Sequence, residues 1–195
     1  MDIPAAVAAW ERLWDRLPAW RGRPCQQFPS DLIRYAEVIW ELRPPWVLET
    51  GTASGGCALF LADALEAAGR GQVITVDTDA VPPFHRRLVY IQGDAADPVI
   101  TARITAATGA VTHERGLVLL DDDHSSAQVG RELDAYAPFA SYLVCEDTIM
   151  QHLPGYSDGP HVALAGWLPA HPEFVPDPDP DPTQHPGGWL RRVAG

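Results

Sequence analysis

The fold is decided by the stretch Val47-Leu48-Glu49-Thr50-Gly51-Thr52-Ala53-Ser54-Gly55-Gly56. Its first four residues are typical of a strand, and the glycines that follow allow the backbone to turn sharply and approach a ligand closely. A helical pattern then covers residues 56–68. In an open α/β sheet, ligands bind outside the carboxyl ends of the strands, where such turns lie. The stretch therefore predicts an α/β fold with a ligand site after its first strand.

Short apolar strands alternate with helical segments from Trp46 onward. The five leading strand candidates are residues 47–50, 72–77, 88–91, 117–121 and 142–146. The helical segments lie near 56–68, 97–107, 125–137 and 161–169, and two more strands are expected at 173–175 and 188–193. Because the strands are almost continuously apolar, they predict a mostly parallel sheet covered by helices on both faces. For a doubly wound sheet, the expected order of the first five strands is 3-2-1-4-5.

Residues 1–45 precede this alternation and are predicted to form two helices that pack on the core or on a second copy of the chain. Residues 46–195 form the core, and the whole chain is one domain. One face of the first helix, over residues 4–17, carries Val7, Trp10, Leu13, Trp14 and Leu17. The second helix starts at Ser30 as its N-cap and ends near Glu41. Its inward residues are expected to be Leu32, Ile33, Ala36, Ile39 and Trp40.

Composition limits the classes of partner. The chain has 195 residues, 46% of them hydrophobic, and a net charge of −12. An acidic surface repels polyanions, so a nucleic-acid partner is not expected. No apolar run is long enough to span a bilayer and no signal peptide is recognisable. The three cysteines Cys25, Cys57 and Cys145 are odd in number and lack metal-site spacing, which favours a reduced, cytoplasmic protein.

The second strand ends in an acidic residue, as in nucleoside-binding folds. Asp77 can accept hydrogen bonds from both ribose hydroxyls, so it predicts a nucleoside cofactor together with the glycine turn. NAD and S-adenosylmethionine both remain open at this point. Glu49 favours S-adenosylmethionine, since a carboxylate beside the turn would repel a pyrophosphate but could contact a methionine moiety. Asp94, in Gly93-Asp94-Ala95, can accept from an adenine amino group; the alternative is a turn capped by its own side chain.

Acidic residues also lie at the ends of the fourth and fifth strands. The fourth strand ends in Asp121-Asp122-Asp123-His124, and the fifth ends in Glu146-Asp147. These strands are neighbours in the expected order, so their acids would repel one another unless a cation neutralises them. Carboxylate oxygens are ligands that Mg²⁺ prefers. The pattern therefore predicts a magnesium site, and the alternative is an aspartate run that only caps the next helix with Ser125 and Ser126.

With these residues, the chain resembles the cephalosporin hydroxylase and rhamnosyl O-methyltransferase family. The resemblance covers roughly residues 20–193, in order. Its matching segments are Phe28-Pro29-Ser30-Asp31-Leu32, Val47-Leu48-Glu49-Thr50-Gly51 with Gly55-Gly56, Leu120-Asp121 with Asp123-His124, Glu132-Leu133, Tyr142-Leu143-Val144 with Glu146-Asp147-Thr148, and His185-Pro186-Gly187-Gly188-Trp189-Leu190. Cys57 and Asp122 depart from the family pattern, because serine is frequent at both positions.

The resemblance implies a Rossmann-like class I methyltransferase fold, with seven strands in the order 3-2-1-4-5-7-6. It implies a magnesium-dependent, S-adenosylmethionine-dependent O-methyltransferase that acts on a hydroxyl of a small molecule, such as a sugar or a tailored natural product of antibiotic biosynthesis. Asp121, Glu146 and Asp147 match the magnesium ligands, and His124 matches the catalytic base. The cofactor is expected at Glu49, Thr50, Gly51, Ser54, Gly55, Gly56, Asp77, Asp94, Ala95 and Asp121.

Two other functions remain open from the sequence. One is an NAD-linked oxidoreductase on the same fold, and the other is a non-catalytic partner subunit. The sequence predicts neither the identity of the acceptor nor the oligomeric state, although the Trp-rich first helix could serve as the interface of a homo-oligomer.

Overall fold

Seven strands form one sheet in the computed structural model, which describes residues 2–79, 83–109 and 114–193. In chain order they are β1 Trp46–Thr50, β2 Gln72–Asp77, β3 Leu88–Gln92, β4 Gly116–Leu120, β5 Ala140–Cys145, β6 Phe174–Pro176 and β7 Trp189–Arg192. Their order in the sheet is β3-β2-β1-β4-β5-β7-β6. The first five strands pair in parallel, and β7 pairs antiparallel with both β5 and β6. The predicted fold class and strand order are confirmed.

The helices cover both faces of this sheet. They are α1 Ile3–Leu13, α2 Pro29–Leu42, α3 Gly56–Ala68, α4 Pro98–Thr108, α5 Ser126–Tyr136 and α6 Pro160–Trp167. Successive residues of a strand point to opposite faces. Accordingly, Val47 packs in the cluster with α2 and α3, and Leu48 packs in the cluster with α4, α5 and α6. Within the described residues, no helix is long and apolar enough to cross a membrane.

The two N-terminal helices differ in detail from the prediction. The first helix ends at Leu13 rather than residue 17, so Trp14 lies beyond it and is 48% exposed. In α2, Ile33 and Trp40 were expected inward but are 62% and 59% exposed. Ile39 is buried as expected, Leu32 and Ala36 are half-buried, and the other buried residues of α2 are Asp31, Tyr35 and Val38.

A buried polar residue, Asp31, explains why α2 turns a different face toward the core than predicted. The buried Asp31 carboxylate accepts hydrogen bonds from the Thr183 hydroxyl (2.6 Å) and the Gln184 amide (2.9 Å). Because a buried carboxylate needs such donors, these bonds turn the Asp31 face of the helix toward the C-terminal segment. Ser30 is not the N-cap, since the helix begins at Pro29 and the Ser30 hydroxyl donates to the Pro182 carbonyl.

Candidate active site

A cavity of about 390 Å³ opens at the carboxyl edge of the sheet. The turns after β1, β2, β4 and β5 meet there, as expected for a doubly wound sheet. Its lining residues are Trp10, Trp14, Gln26, Gly51, Ala53, Asp77, Asp121, Asp122, His124, Asp147, Met150 and Tyr156. The cavity therefore combines the glycine turn, four carboxylates, one imidazole and a group of aromatic rings.

The glycine turn lies directly against the end of β4. Gly51 has φ +84°, and its amide donates to the Val76 carbonyl at 2.8 Å. A Cβ at position 51 would lie 1.9 Å from the Asp121 carbonyl oxygen, and one at Gly56 would lie 2.1 Å from the Pro24 carbonyl oxygen. Glycine is required at both positions because the backbones approach so closely. Ser54, Gly55 and Gly56 line a smaller pocket that also includes Gly51 and Asp121.

The carboxylate of Asp77 holds the glycine turn and lines the cavity. It accepts hydrogen bonds from the Ala53 and Asp79 amides, each at 2.9 Å. This places an acceptor group at the end of β2, beside the turn that follows β1.

The side chains of Glu49 and Thr50 lie beneath the turn, where both are buried. The Thr75 hydroxyl donates to Glu49 Oε2 at 2.5 Å, and burial raises the pKa of Glu49 to about 8. Thr50 donates to Glu132 Oε2 at 2.9 Å. Neither residue is among the described residues that line the cavity. Their role at the cofactor remains a prediction, and the contacts they make support the turn from below.

The turn after β3 is a capped turn. The exposed Asp94 carboxylate accepts from the Ala96 amide at 2.8 Å and from Gln128 Nε2 at 2.9 Å. Ala95 is buried, and its carbonyl accepts from the Tyr136 hydroxyl at 2.5 Å. The structure therefore contains the capped turn that the sequence offered as the alternative for Asp94, and an adenine contact at Asp94 or Ala95 remains a prediction.

The acids after β4 and β5 converge on His124. Its Nε2 lies 3.1 Å from Asp147 Oδ2 and 3.5 Å from Asp121 Oδ1. Potential ligand atoms of these three residues all lie within 4.8 Å of one another. His124 Nε2 is buried, yet no described residue partners it with hydrogen-bond geometry. Burial lowers the pKa of His124, but the two carboxylates raise it more strongly, to about 11. Within this group, the carboxylate oxygens of Asp121 and Asp147 are ligands that a small, hard divalent cation prefers.

Glu146 lies behind these acids and is fully buried. The Tyr35 hydroxyl donates to its Oε1 at 2.9 Å, and Gln27 Nε2 donates to its Oε2 at 2.5 Å. Gln27 Nε2 also lies 3.3 Å from Asp121 Oδ2. Burial raises the pKa of Glu146 well above its ordinary value, and the nearby Asp121 and Asp147 add to this effect. The structure thus brings two of the three expected metal ligands to the cavity and connects the third to them through Gln27.

The other two aspartates after β4 have separate positions. Asp123 is exposed and accepts from the Ser125 amide at 2.7 Å, as a residue at a helix start does. Asp122 lines the cavity, and burial raises its pKa to about 6.

Sequence reasoning missed the buried residues that hold Asp147 in place. His185 Nδ1 accepts a hydrogen bond from the Asp147 amide at 2.8 Å, where Asp147 has φ +52°. His185 Nε2 lies 2.9 Å from the Tyr35 hydroxyl and 3.2 Å from Gln27 Oε1. The resemblance marked the His185 segment without giving it a role. No sequence signal marked Gln27 or Tyr35, since their contacts join distant parts of the chain.

The comparisons with known sequences agree on one family. Residues 12–193 match the family model described as Rhamnosyl O-methyltransferase/CmcI. A rhamnosyl O-methyltransferase of Mycobacterium bovis is 31% identical over 188 residues, which cover 88% of this chain and 76% of that protein. The Mycobacterium leprae rhamnosyl O-methyltransferase is 30% identical over 159 residues, covering 76% of this chain and 69% of that protein.

Solved structures share the fold. A structure of CmcI with Mg-SAM has a TM-score of 0.66 and 22% sequence identity, and the match covers 93% of this chain and 84% of that one.

Proposed function

The chain belongs to the rhamnosyl O-methyltransferase/CmcI family, and we propose that this S-adenosylmethionine-dependent O-methyltransferase uses Mg²⁺ to methylate a hydroxyl of a small molecule. We propose a sugar, or a sugar-bearing natural product of secondary metabolism, as the acceptor. The observation that carries the proposal is the convergence of Asp121, His124 and Asp147 in the cavity that the glycine turn and Asp77 also line.

The cavity favours a sulfonium nucleoside over NAD. Asp77, Asp121, Asp122 and Asp147 all line it, and none of its described lining residues is Lys or Arg. Such a surface repels a pyrophosphate and attracts a cation. Gly51 allows the ligand to lie against the backbone, and Asp77 offers its carboxylate to ribose hydroxyls.

Asp121 and Asp147 would hold Mg²⁺ through carboxylate oxygens. We keep Glu146 in the proposed metal site because Gln27 Nε2 contacts the carboxylates of both Glu146 and Asp121. When bound, S-adenosylmethionine would supply a methyl group on a positively charged sulfur, and Mg²⁺ would supply a Lewis acid that makes the acceptor hydroxyl more acidic.

His124 is the proposed general base. With both carboxylates ionised beside it, its pKa of about 11 keeps the imidazole protonated near neutral pH. Once the charges of Asp121 and Asp147 are neutralised, this cause of the raised pKa is removed. Nε2 can then accept the proton of the acceptor hydroxyl while the cavity keeps the hydroxyl oxygen in line with the methyl group.

The test compares variants of these residues in a methyl-transfer assay with a rhamnoside probe. We expect Asp121→Asn or Glu146→Gln to abolish Mg²⁺-stimulated turnover while calorimetry still shows binding of S-adenosylhomocysteine. We expect His124→Ala to lower kcat about 10²- to 10⁴-fold, as is typical for loss of a general base, with metal binding retained.

Asp123→Asn is the matched control, because Asp123 belongs to the same aspartate run but is exposed and accepts from the amide of Ser125, the N-cap of α5. Its turnover should stay close to that of the wild type. Full activity of a metal-ligand variant, or of the wild type in excess EDTA, would contradict the proposed mechanism. A thermal shift with NAD and none with S-adenosylhomocysteine would favour the oxidoreductase instead.

A further inference from the structure

One wall of the cavity consists of side chains that the proposed chemistry does not use. Trp10 and Trp14 come from α1 and its C-cap, and Met150 and Tyr156 come from the segment after β5. The two parts are in contact, since α1 packs on the 3-10 helix Thr148–His152. We call these four residues the aromatic wall.

The aromatic wall lies beside the proposed reacting groups. The Met150 amide donates to the Asp147 carbonyl at 3.0 Å, so the wall begins within one turn of a proposed metal ligand. The glycine turn and Asp77 line the same cavity from other elements. The wall is therefore placed to contact the acceptor, and the glycine turn is placed to contact the nucleoside.

The rings of this wall are not part of the hydrophobic core. Trp14 is 48% exposed and Tyr156 is 45% exposed, and neither belongs to the two core clusters of the described residues. Trp10 and Trp14 pack edge to face, with centroids 5.6 Å apart. Trp10 Nε1 is a buried donor without a hydrogen-bond partner among the described residues. Exposed rings and an unpaired donor around a cavity are typical of a ligand site.

We propose that Trp10 and Trp14 bind the sugar ring of the methyl acceptor. The C–H face of its ring would stack on an indole, and one of its oxygens would accept from Trp10 Nε1. This inference rests on the proposed function, because it concerns the acceptor of the same reaction. Trp10 precedes the residues that match the family model, so its role is inferred from its position in the cavity.

The experiment measures methylation of 4-nitrophenyl α-L-rhamnopyranoside and its binding to the protein saturated with S-adenosylhomocysteine and Mg²⁺. We expect Trp14→Leu to raise both KM and Kd for this probe about tenfold, because one aromatic contact is lost. The kcat should stay within about twofold, and the affinity for S-adenosylhomocysteine should not change. Trp10→Phe keeps a ring but removes the donor, and we expect it to raise KM several-fold.

Trp40→Leu is the matched control. Trp40 is a similarly exposed tryptophan, but it lies on α2 and does not line the cavity. We expect this variant to match the wild type in KM, Kd and kcat. An unchanged KM in Trp14→Leu, or an equal rise in Trp40→Leu, would overturn the inference.

The inference and the proposed function fail in different ways. A wild-type protein that methylates the pyranoside, with KM and Kd unchanged in Trp14→Leu and Trp10→Phe, would overturn the inference alone. A wild-type protein that does not bind S-adenosylhomocysteine would overturn the proposed function.

Discussion

Asp147 shows how a single backbone angle directs a side chain into the cavity. Its φ of +52° is unusual for a residue other than glycine, and such a conformation costs on the order of 1 kcal/mol or more. The hydrogen bond from its amide to His185 Nδ1 stabilises this conformation. Since Nδ1 accepts, the proton of the neutral imidazole is on Nε2, near Tyr35 and Gln27. Burial lowers the pKa of His185 to about 4, so the ring is neutral near pH 7.

Replacing His185 should therefore reduce the stimulation of turnover by Mg²⁺. In His185→Ala, the Asp147 amide loses its acceptor, and an unsatisfied buried donor costs about 1–3 kcal/mol. We expect a lower Tm and at least a tenfold higher Mg²⁺ concentration for half-maximal turnover.

In His185→Asn, Oδ1 can take the place of Nδ1 as acceptor, so this variant should recover most of the Mg²⁺ response. His152→Ala serves as the control, because His152 is an exposed histidine that, like Asp147, follows β5. Equal Mg²⁺ responses in the alanine and asparagine variants would argue that His185 only fills space.

For individual residues, the sequence predicted some of the contacts in the candidate site and missed others. Asp121, His124 and Asp147 could be expected to meet because parallel neighbouring strands end at one edge of the sheet. Tyr35 and Gln27 contact Glu146 across 111 and 119 residues of chain. Packing of α2 and its preceding loop brings these residues together, and no spacing or motif in a single sequence reports it.

At the scale of elements, the strands could be predicted well because their apolar runs are bounded by Gly, Pro or charged residues. All seven begin and end within two residues of the expected positions. The faces of α1 and α2 were predicted less well. The buried side of α2 includes Asp31, and a pattern of apolar residues alone does not indicate a buried carboxylate.

The turn between β1 and α3 gives a prediction about stability. Gly51→Ala would place a Cβ 1.9 Å from the Asp121 carbonyl oxygen at a φ of +84°. The variant must move β1 or β4, so we expect a loss of at least about 2 kcal/mol in the free energy of unfolding and a loss of cofactor binding. Urea unfolding and calorimetry with S-adenosylhomocysteine would measure both.

Gly130→Ala is the control for this change. Gly130 lies inside α5, and a Cβ there meets no described atom within 4 Å. Alanine in a helix is favoured over glycine by about 0.5–1 kcal/mol, so this variant should be slightly more stable than the wild type. If Gly51→Ala were as stable as Gly130→Ala, the close contact between the turn and β4 would not exist.

At the scale of the whole molecule, buried carboxylates make stability depend on pH. Burial raises the pKa of Asp31 and Glu132 to about 7 and that of Glu49 to about 8. These groups have lower pKa values in the unfolded chain, so the folded state binds more protons between about pH 4 and pH 8. The stability that they contribute is fully present below the unfolded pKa and is lost as pH rises through the folded values.

The variant Glu132→Gln tests this dependence. In the wild type without Mg²⁺, we expect the free energy of unfolding to fall between pH 5 and pH 7, with about 2–3 kcal/mol of the fall due to Glu132. The glutamine variant should show a flatter profile by that amount. Glu11→Gln, at an exposed position of α1, should keep the wild-type slope. Parallel profiles for the wild type and Glu132→Gln would show that Glu132 titrates normally.

The position of β7 also affects how the chain folds while it is being synthesised. Residues 189–192 follow every other strand in the chain, yet they lie between β5 and β6 in the sheet. A nascent chain leaves the ribosome with its N-terminal part first. Until β7 emerges, one side of β5 has no neighbour, and such an open edge invites pairing with other chains. His185 lies in the segment just before β7, so its hydrogen bond with the Asp147 amide can form only when that segment has emerged. A ribosome-bound chain that lacks residues 183–192 is therefore expected to be inactive and prone to aggregation.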